Sequence, residues 1–196
     1  MSIGAGVSTG PYPSLYAEIP CTCHASDVPL SLDVIGLLKL NFNGQIRVRV
    51  EAYLPPNLSL GGLLGGVHLR VISHEVSADS QFGKITITTP AIDTTPLSLL
   101  ELISLNPPKF RQTMFLDFTV TIEKPPSGAP TPLGAPTPLV LSNTQTAVLL
   151  NDNLTQFPPV GAVYQLQQPI DLAPVGNPSQ VVGQLQQFPV TVTHSP

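Results

Sequence analysis

From Thr113 to Glu123 every second residue is apolar. Met114, Leu116, Phe118, Val120 and Ile122 share one parity, and Phe115, Asp117, Thr119, Thr121 and Glu123 the other. Alternation puts successive side chains on opposite faces of a strand, whereas a helical face repeats about every 3.6 residues. This run therefore reads as a strand with one apolar face, the pattern of an antiparallel sheet packed on one side. The same parity recurs upstream. Ile46, Val48, Val50 and Ala52 alternate with Arg47, Arg49, Glu51 and Tyr53. Val67, Leu69 and Val71 alternate with His68 and Arg70 until Ile72 interrupts the polar side, which predicts a bulge or a doubly buried stretch. Ile85 and Ile87 continue the theme.

Turn and breaker residues divide these runs. Pro55 and Pro56 end one strand, and the glycine-rich GGLLGG at 61–66 reads as a hairpin tip. One short helix is expected after Thr95, with Pro96 in its first turn and Asn106, Pro107 and Pro108 as its stop. The tandem GAPTPL repeat within 125–138 favours an extended, semi-rigid spacer or loop. Leu139–Leu150 reads as a strand, followed by a turn at Asn151, Asp152 and Asn153. QLQQPIDL at 165–172 and QLQQFPVTV at 184–192 resemble each other, with Pro169 and Pro189 in nearly matching places, one residue apart in register. Proline cannot donate to a ladder, so both read as edge or bulged strands.

About seven to nine short strands result, the number expected of an all-β antiparallel β-sandwich, jelly-roll-like or immunoglobulin-like. The chain divides into an N-terminal arm at 1–27, a sandwich core at 28–124 and a Pro-rich linker or loop at 125–138. Further strands at 139–196 complete the sandwich or form a small β module. Tyr12, Leu15, Tyr16 and Ile19 are the apolar residues through which the arm would dock on its own domain or a neighbouring subunit.

Charge limits function. Charged residues make up 10% of the 196, well under the ~25% of soluble domains. From Pro125 to Pro196 only Asp152 and Asp171 are charged. The eight basic residues form no stripe that could neutralise phosphates, so no nucleic acid is expected. No transmembrane helix is legible, because proline interrupts the uncharged stretch. The N-terminus lacks a basic and an apolar signal region. The expected location is nonetheless extracellular, or on a spore, cell or virion surface.

Catalytic chemistry is not expected. There is no nucleophile elbow, P-loop, dinucleotide fingerprint or zincin motif. Cys21, Cys23, His24 and Asp27 lack a second ligand pair with metal spacing, so neither metal nor cofactor is predicted. Cys21 and Cys23 are too close for an unstrained mutual bond and read as candidates for an intermolecular disulfide. His68, Arg70 and His74 read as solvent-facing strand residues.

The arm, the nearby cysteines, the low charge and the missing signal are similar in organisation to self-assembling β-sandwich subunits of bacterial surface and spore appendages. So little charge suits a chain covered by other copies of itself, so the expected function is a self-assembling structural subunit of a surface fibre, a spore appendage or coat, or a capsid-like assembly, polymerising through its arm and its uncharged apolar surfaces, with no small-molecule ligand expected. The alternative is a β-sandwich binding module for carbohydrate or a surface ligand.

Overall fold

The computed structural model describes residues 11–56, 64–90, 95–130 and 138–195. The strands are Glu18–Leu32 (β1), Gly36–Leu54 (β2), Gly66–Ser80 (β3), Gly83–Thr88 (β4), Ser98–Leu105 (β5), Pro108–Leu116 (β6) and Thr119–Ile122 (β7). They continue with Leu139–Asn143 (β8), Ala147–Leu154 (β9), Ala162–Leu166 (β10), Ile170–Pro174 (β11), Gly183–Leu185 (β12) and Val190–His194 (β13). All thirteen belong to one sheet and pair antiparallel, and no helix occurs among the described residues.

The sheet closes on itself. β1 pairs with β13 over Cys21–Ala25 and with β12 over Leu30–Leu32. β3 pairs with β5 over Gly66–Leu69 and with β4 over Glu75–Ser80. The same division runs around the molecule: β4 with β5, β6 with β7, β8 with β9, β10 with β11 and β12 with β13 each share one strand path. Together with β1, β2 and β3 this makes eight paths, each beside its predecessor in sequence, the eighth pairing back to the first. The result is an up-and-down ring in which every strand has a neighbour on both sides. β4, β7, β8, β11 and β12 form its upper half, and β5, β6, β9, β10 and β13 its lower half.

Between the halves lies a waist, and each irregularity there has a local cause. β1 bulges between Ala25 and Val28, where Asp27 takes a positive φ of 53° and its N–H donates to Asn41 Oδ1 at 2.9 Å. β3 bulges at Ile72, which has no partner between the Arg47–Ser73 and Val48–Val71 pairs. Pro169 and Pro189 stand immediately before β11 and β13, where a missing N–H interrupts the ladder. The two similar QLQQ segments are thus neighbouring waist crossings, not sheet edges. Between β6 and β7 the Asn143 side chain substitutes for the ladder. Its Oδ1 accepts from Phe118 N at 2.8 Å, and its Nδ2 donates to Gln145 O at 2.8 Å and Leu116 O at 3.3 Å.

Several expectations change. The helix after Thr95 is strand β5, because Ser98, Leu100 and Leu102 are buried with period two and tertiary pairing overrides the capping signal. The run from Thr113 to Glu123 keeps its apolar face but is two strands, β6 in the lower half and β7 in the upper. Such breaks are why thirteen strands stand where fewer were expected. Asn151–Asn153 lies within β9, not in a turn. His74 is buried, because the bulge at Ile72 moves the inward parity from odd to even residues. The boundary expected at 27 falls inside β1, and β8 to β13 supply the last three paths of the same ring. Residues 1–10, 61–63 of the glycine-rich tip and 131–137 of the proline repeat lie outside the described residues.

The interior of the upper half is aliphatic, with Leu30, Ile85, Val120, Leu141, Ile170 and Leu172 all buried. At Gly44 the ladder is tight enough that a Cβ would collide with the Glu75 carbonyl oxygen. Gly44→Ala must push β2 from β3, and it is expected to cost ~1–3 kcal/mol, the range of overpacked sites. Chemical denaturation checks this. A change within experimental error would show that the two strands separate freely.

Candidate functional site

The lower end of the ring is spanned by the segment from Pro11 to Ala17. Tyr53 Oη donates to Pro13 O at 2.7 Å, and Tyr12 Oη donates to Gly65 O at 3.2 Å. Tyr16 N donates to Val50 O at 2.8 Å, and Val50 N returns a bond to Ala17 O at 3.1 Å. The Tyr12 ring meets Phe110 edge-on, 5.9 Å between centroids. Beside this segment lies a cleft of about 340 Å³, lined by Tyr12, Tyr53, Pro55, Pro56, Leu64 and Leu102 among others. Among the described residues, none that lines it carries a charge at neutral pH. Burial raises the Tyr12 pKa, so its phenol stays neutral.

Inside the lower half, the aliphatic wall is interrupted by polar groups. Tyr164 Oη donates to Gln112 Oε1 at 2.5 Å, and both residues are buried. Cys21 and Cys23 face inward from β1, and burial pushes their pKa values up to about 11 and about 12. Burial, and then the two neighbouring thiols, raise that of Tyr164. Thiols held protonated in this way are poor nucleophiles and poor metal ligands.

The residues singled out from sequence separate. Ile19 is core, Tyr12 is packed on the core, and Leu15 and Tyr16 stay exposed at 42% and 68%. Cys21 and Cys23 are 6% and 4% exposed, so a bond to a second chain requires β1 to leave the sheet. His68 and Arg70 remain on the outer face, where Glu51 Oε1 lies 2.7 Å from Arg49 and 3.3 Å from Arg70. His74 meets Phe188 edge-on at 6.5 Å, and its Nδ1 has no hydrogen-bond partner. A general base needs an orienting acid, and among the described residues Nδ1 has no such partner. Among the described residues no cluster of three His, Cys, Asp or Glu could hold a metal ion. Gln112 and Tyr164 escaped sequence reasoning, although Gln112 occupies the apolar parity between Phe110 and Met114. That parity was the available signal.

No protein-family model and no curated protein matches the chain. Among solved structures it is similar to DynF from the dynemicin biosynthesis pathway of Micromonospora chersina. The identity is 18% and the TM-score 0.65, over 97% of this chain and 92% of that one. The likeness extends through the whole ring and is one of fold.

Proposed function

We propose that the chain is a non-catalytic binding protein that takes a small apolar ligand in the cleft at the lower end of the ring. One observation carries the reading: both tyrosine hydroxyls at the cleft are already bonded to backbone carbonyls. What faces a ligand is therefore aromatic ring, proline and leucine, without charge. Rings of eight strands are filled by side chains or hold one small ligand, and here the space is at the mouth. Aromatic residues are 6% of the whole chain, yet this cleft gathers two tyrosines and three prolines. The sandwich geometry belongs to the same proposal. A flattened ring brings two walls to the ~10 Å of stacked sheets, which side chains alone can fill.

Titration with an environment-sensitive naphthylamine dye tests the reading. One equivalent should bind, and Leu64→Glu, which puts a charge into the cleft, should weaken it by at least about tenfold. Circular dichroism confirms that the variant folds. Equal affinity in the folded variant overturns the proposal.

Self-association is the second reading, and one observation favours it. The exposed large hydrophobics cluster at the ends of the ring: Val34, Leu37, Val175 and Val181 above, and Leu15, Tyr16, Ile103, Leu105, Val160 and Val163 below. Strand addition lacks an acceptor edge in a closed ring, so subunits of such a fibre or coat would stack end to end. Contacts with this little charge are insensitive to salt. Light scattering across a salt series decides, and a monomer throughout excludes this reading.

A further inference from the structure

A groove at the waist has chemistry opposite to that of the mouth. Two adjoining cavities, of about 170 and 350 Å³, share Pro90 and Asp117. They open where the paths of β4–β5, β6–β7 and β8–β9 break side by side. Hydroxyl and amide side chains line them, including Thr89 and Thr95 at one end and Ser142, Thr144, Gln145 and Thr146 at the other. We propose that this groove is a separate binding site for a neutral, hydroxyl-rich ligand of the saccharide class.

Asp117 is the centre of the argument. It lines both cavities, and its Oδ1 accepts from Asn143 Nδ2 at 3.1 Å. Asn143 is itself fixed by its bonds to Phe118 N, Gln145 O and Leu116 O. The carboxylate is thus held by a side chain that cannot turn without breaking the wall of the ring. An oriented carboxylate accepts charge-assisted hydrogen bonds from adjacent hydroxyls of a sugar. The surrounding threonine, serine and glutamine groups both donate and accept, as sugar hydroxyls do. Phe115 and Pro90 offer apolar surface to the C–H face of a ring.

The charge pattern selects against other ligands. Asp117 repels anions, and Arg70 at the far end already faces Glu51 at 3.3 Å. Asp117 is the one carboxylate among the lining residues, and among the described residues no cluster of three His, Cys, Asp or Glu could hold a metal ion. The site shares no lining residue with the mouth, so the two readings stand or fall separately.

The test is a titration of the full chain, labelled at threonine methyl groups, with maltose, cellobiose and chitobiose, and with a sulfated disaccharide as the anionic comparison. Shifts are expected at Thr95, Thr119, Thr144 and Thr146 with a neutral sugar. Asp117→Asn keeps an acceptor for Asn143 and should lose at least about tenfold in affinity. Thr144→Val, which keeps shape and removes a hydroxyl, should also bind more weakly. No shift with any neutral sugar at millimolar concentration overturns the proposal. So does equal affinity in the folded Asp117→Asn chain, tighter binding of the sulfated sugar, or displacement of the dye from the mouth by sugar.

Discussion

Phe118→Ala is expected to destabilise the protein by ~3–5 kcal/mol, the range for truncating a buried phenylalanine. Phe118 is 5% exposed and sits where the path of β6 passes into β7 across the waist. Its backbone N donates to Asn143 Oδ1 at 2.8 Å, and its carbonyl accepts from Asn143 N at 3.3 Å. These bonds keep the backbone in place after truncation, so the wall cannot collapse into the space left by the ring. Denaturant melts of both chains measure the difference, and the melting temperature should fall by about 10 °C. A loss below about 1 kcal/mol, the scale of surface changes, would show that Phe118 is not part of the core.

Acid should unfold the protein through His74. Burial lowers its pKa from 6.5 to about 4. The unfolded chain therefore binds a proton between these values that the folded chain refuses, and stability rises with pH across that window. The contribution is complete above pH 6.5 and lost as pH falls toward 4, a total of about 3 kcal/mol. Phe188 packs perpendicular to the imidazole and Phe42 perpendicular to Phe188, and neither offers a hydrogen-bond acceptor to an imidazolium. His74→Leu removes the titration. Between pH 7.5 and 5 the wild type should lose about 2 kcal/mol more than the variant. Parallel pH profiles for the two chains would rule out His74 as the sensor.

Much of the wall was legible because alternation is a local property. Ile46, Val48 and Val50, then Val67, Leu69 and Val71, then Leu116 to Ile122, all bury the parity their sequence shows. Ile72 is legible as an irregularity, but whether it bulges or is buried on both faces is decided by its partner strand. One extra residue reverses the faces of everything after it, and His74 moved from expected solvent to observed core. Neither proposed site could be read along the chain. The mouth joins Tyr12 to Tyr53 and Leu102, and the waist groove joins Thr95 to Asp117 and Thr144. Such separations close only when strands pair.

By itself the sequence determined that this protein is dominated by antiparallel strands, which parity faces inward along the unbroken runs, and how little charge it could offer a partner. Those properties reside in single residues and their nearest neighbours. The tertiary structure alone decided that the strands close into a ring, that Pro169 and Pro189 mark a waist and not an edge, and that Gln112 meets Tyr164 inside it. Closure depends on the first path finding the eighth, Cys21 beside His194. No local pattern encodes that pairing, because the residues that make it are separated by nearly the whole chain.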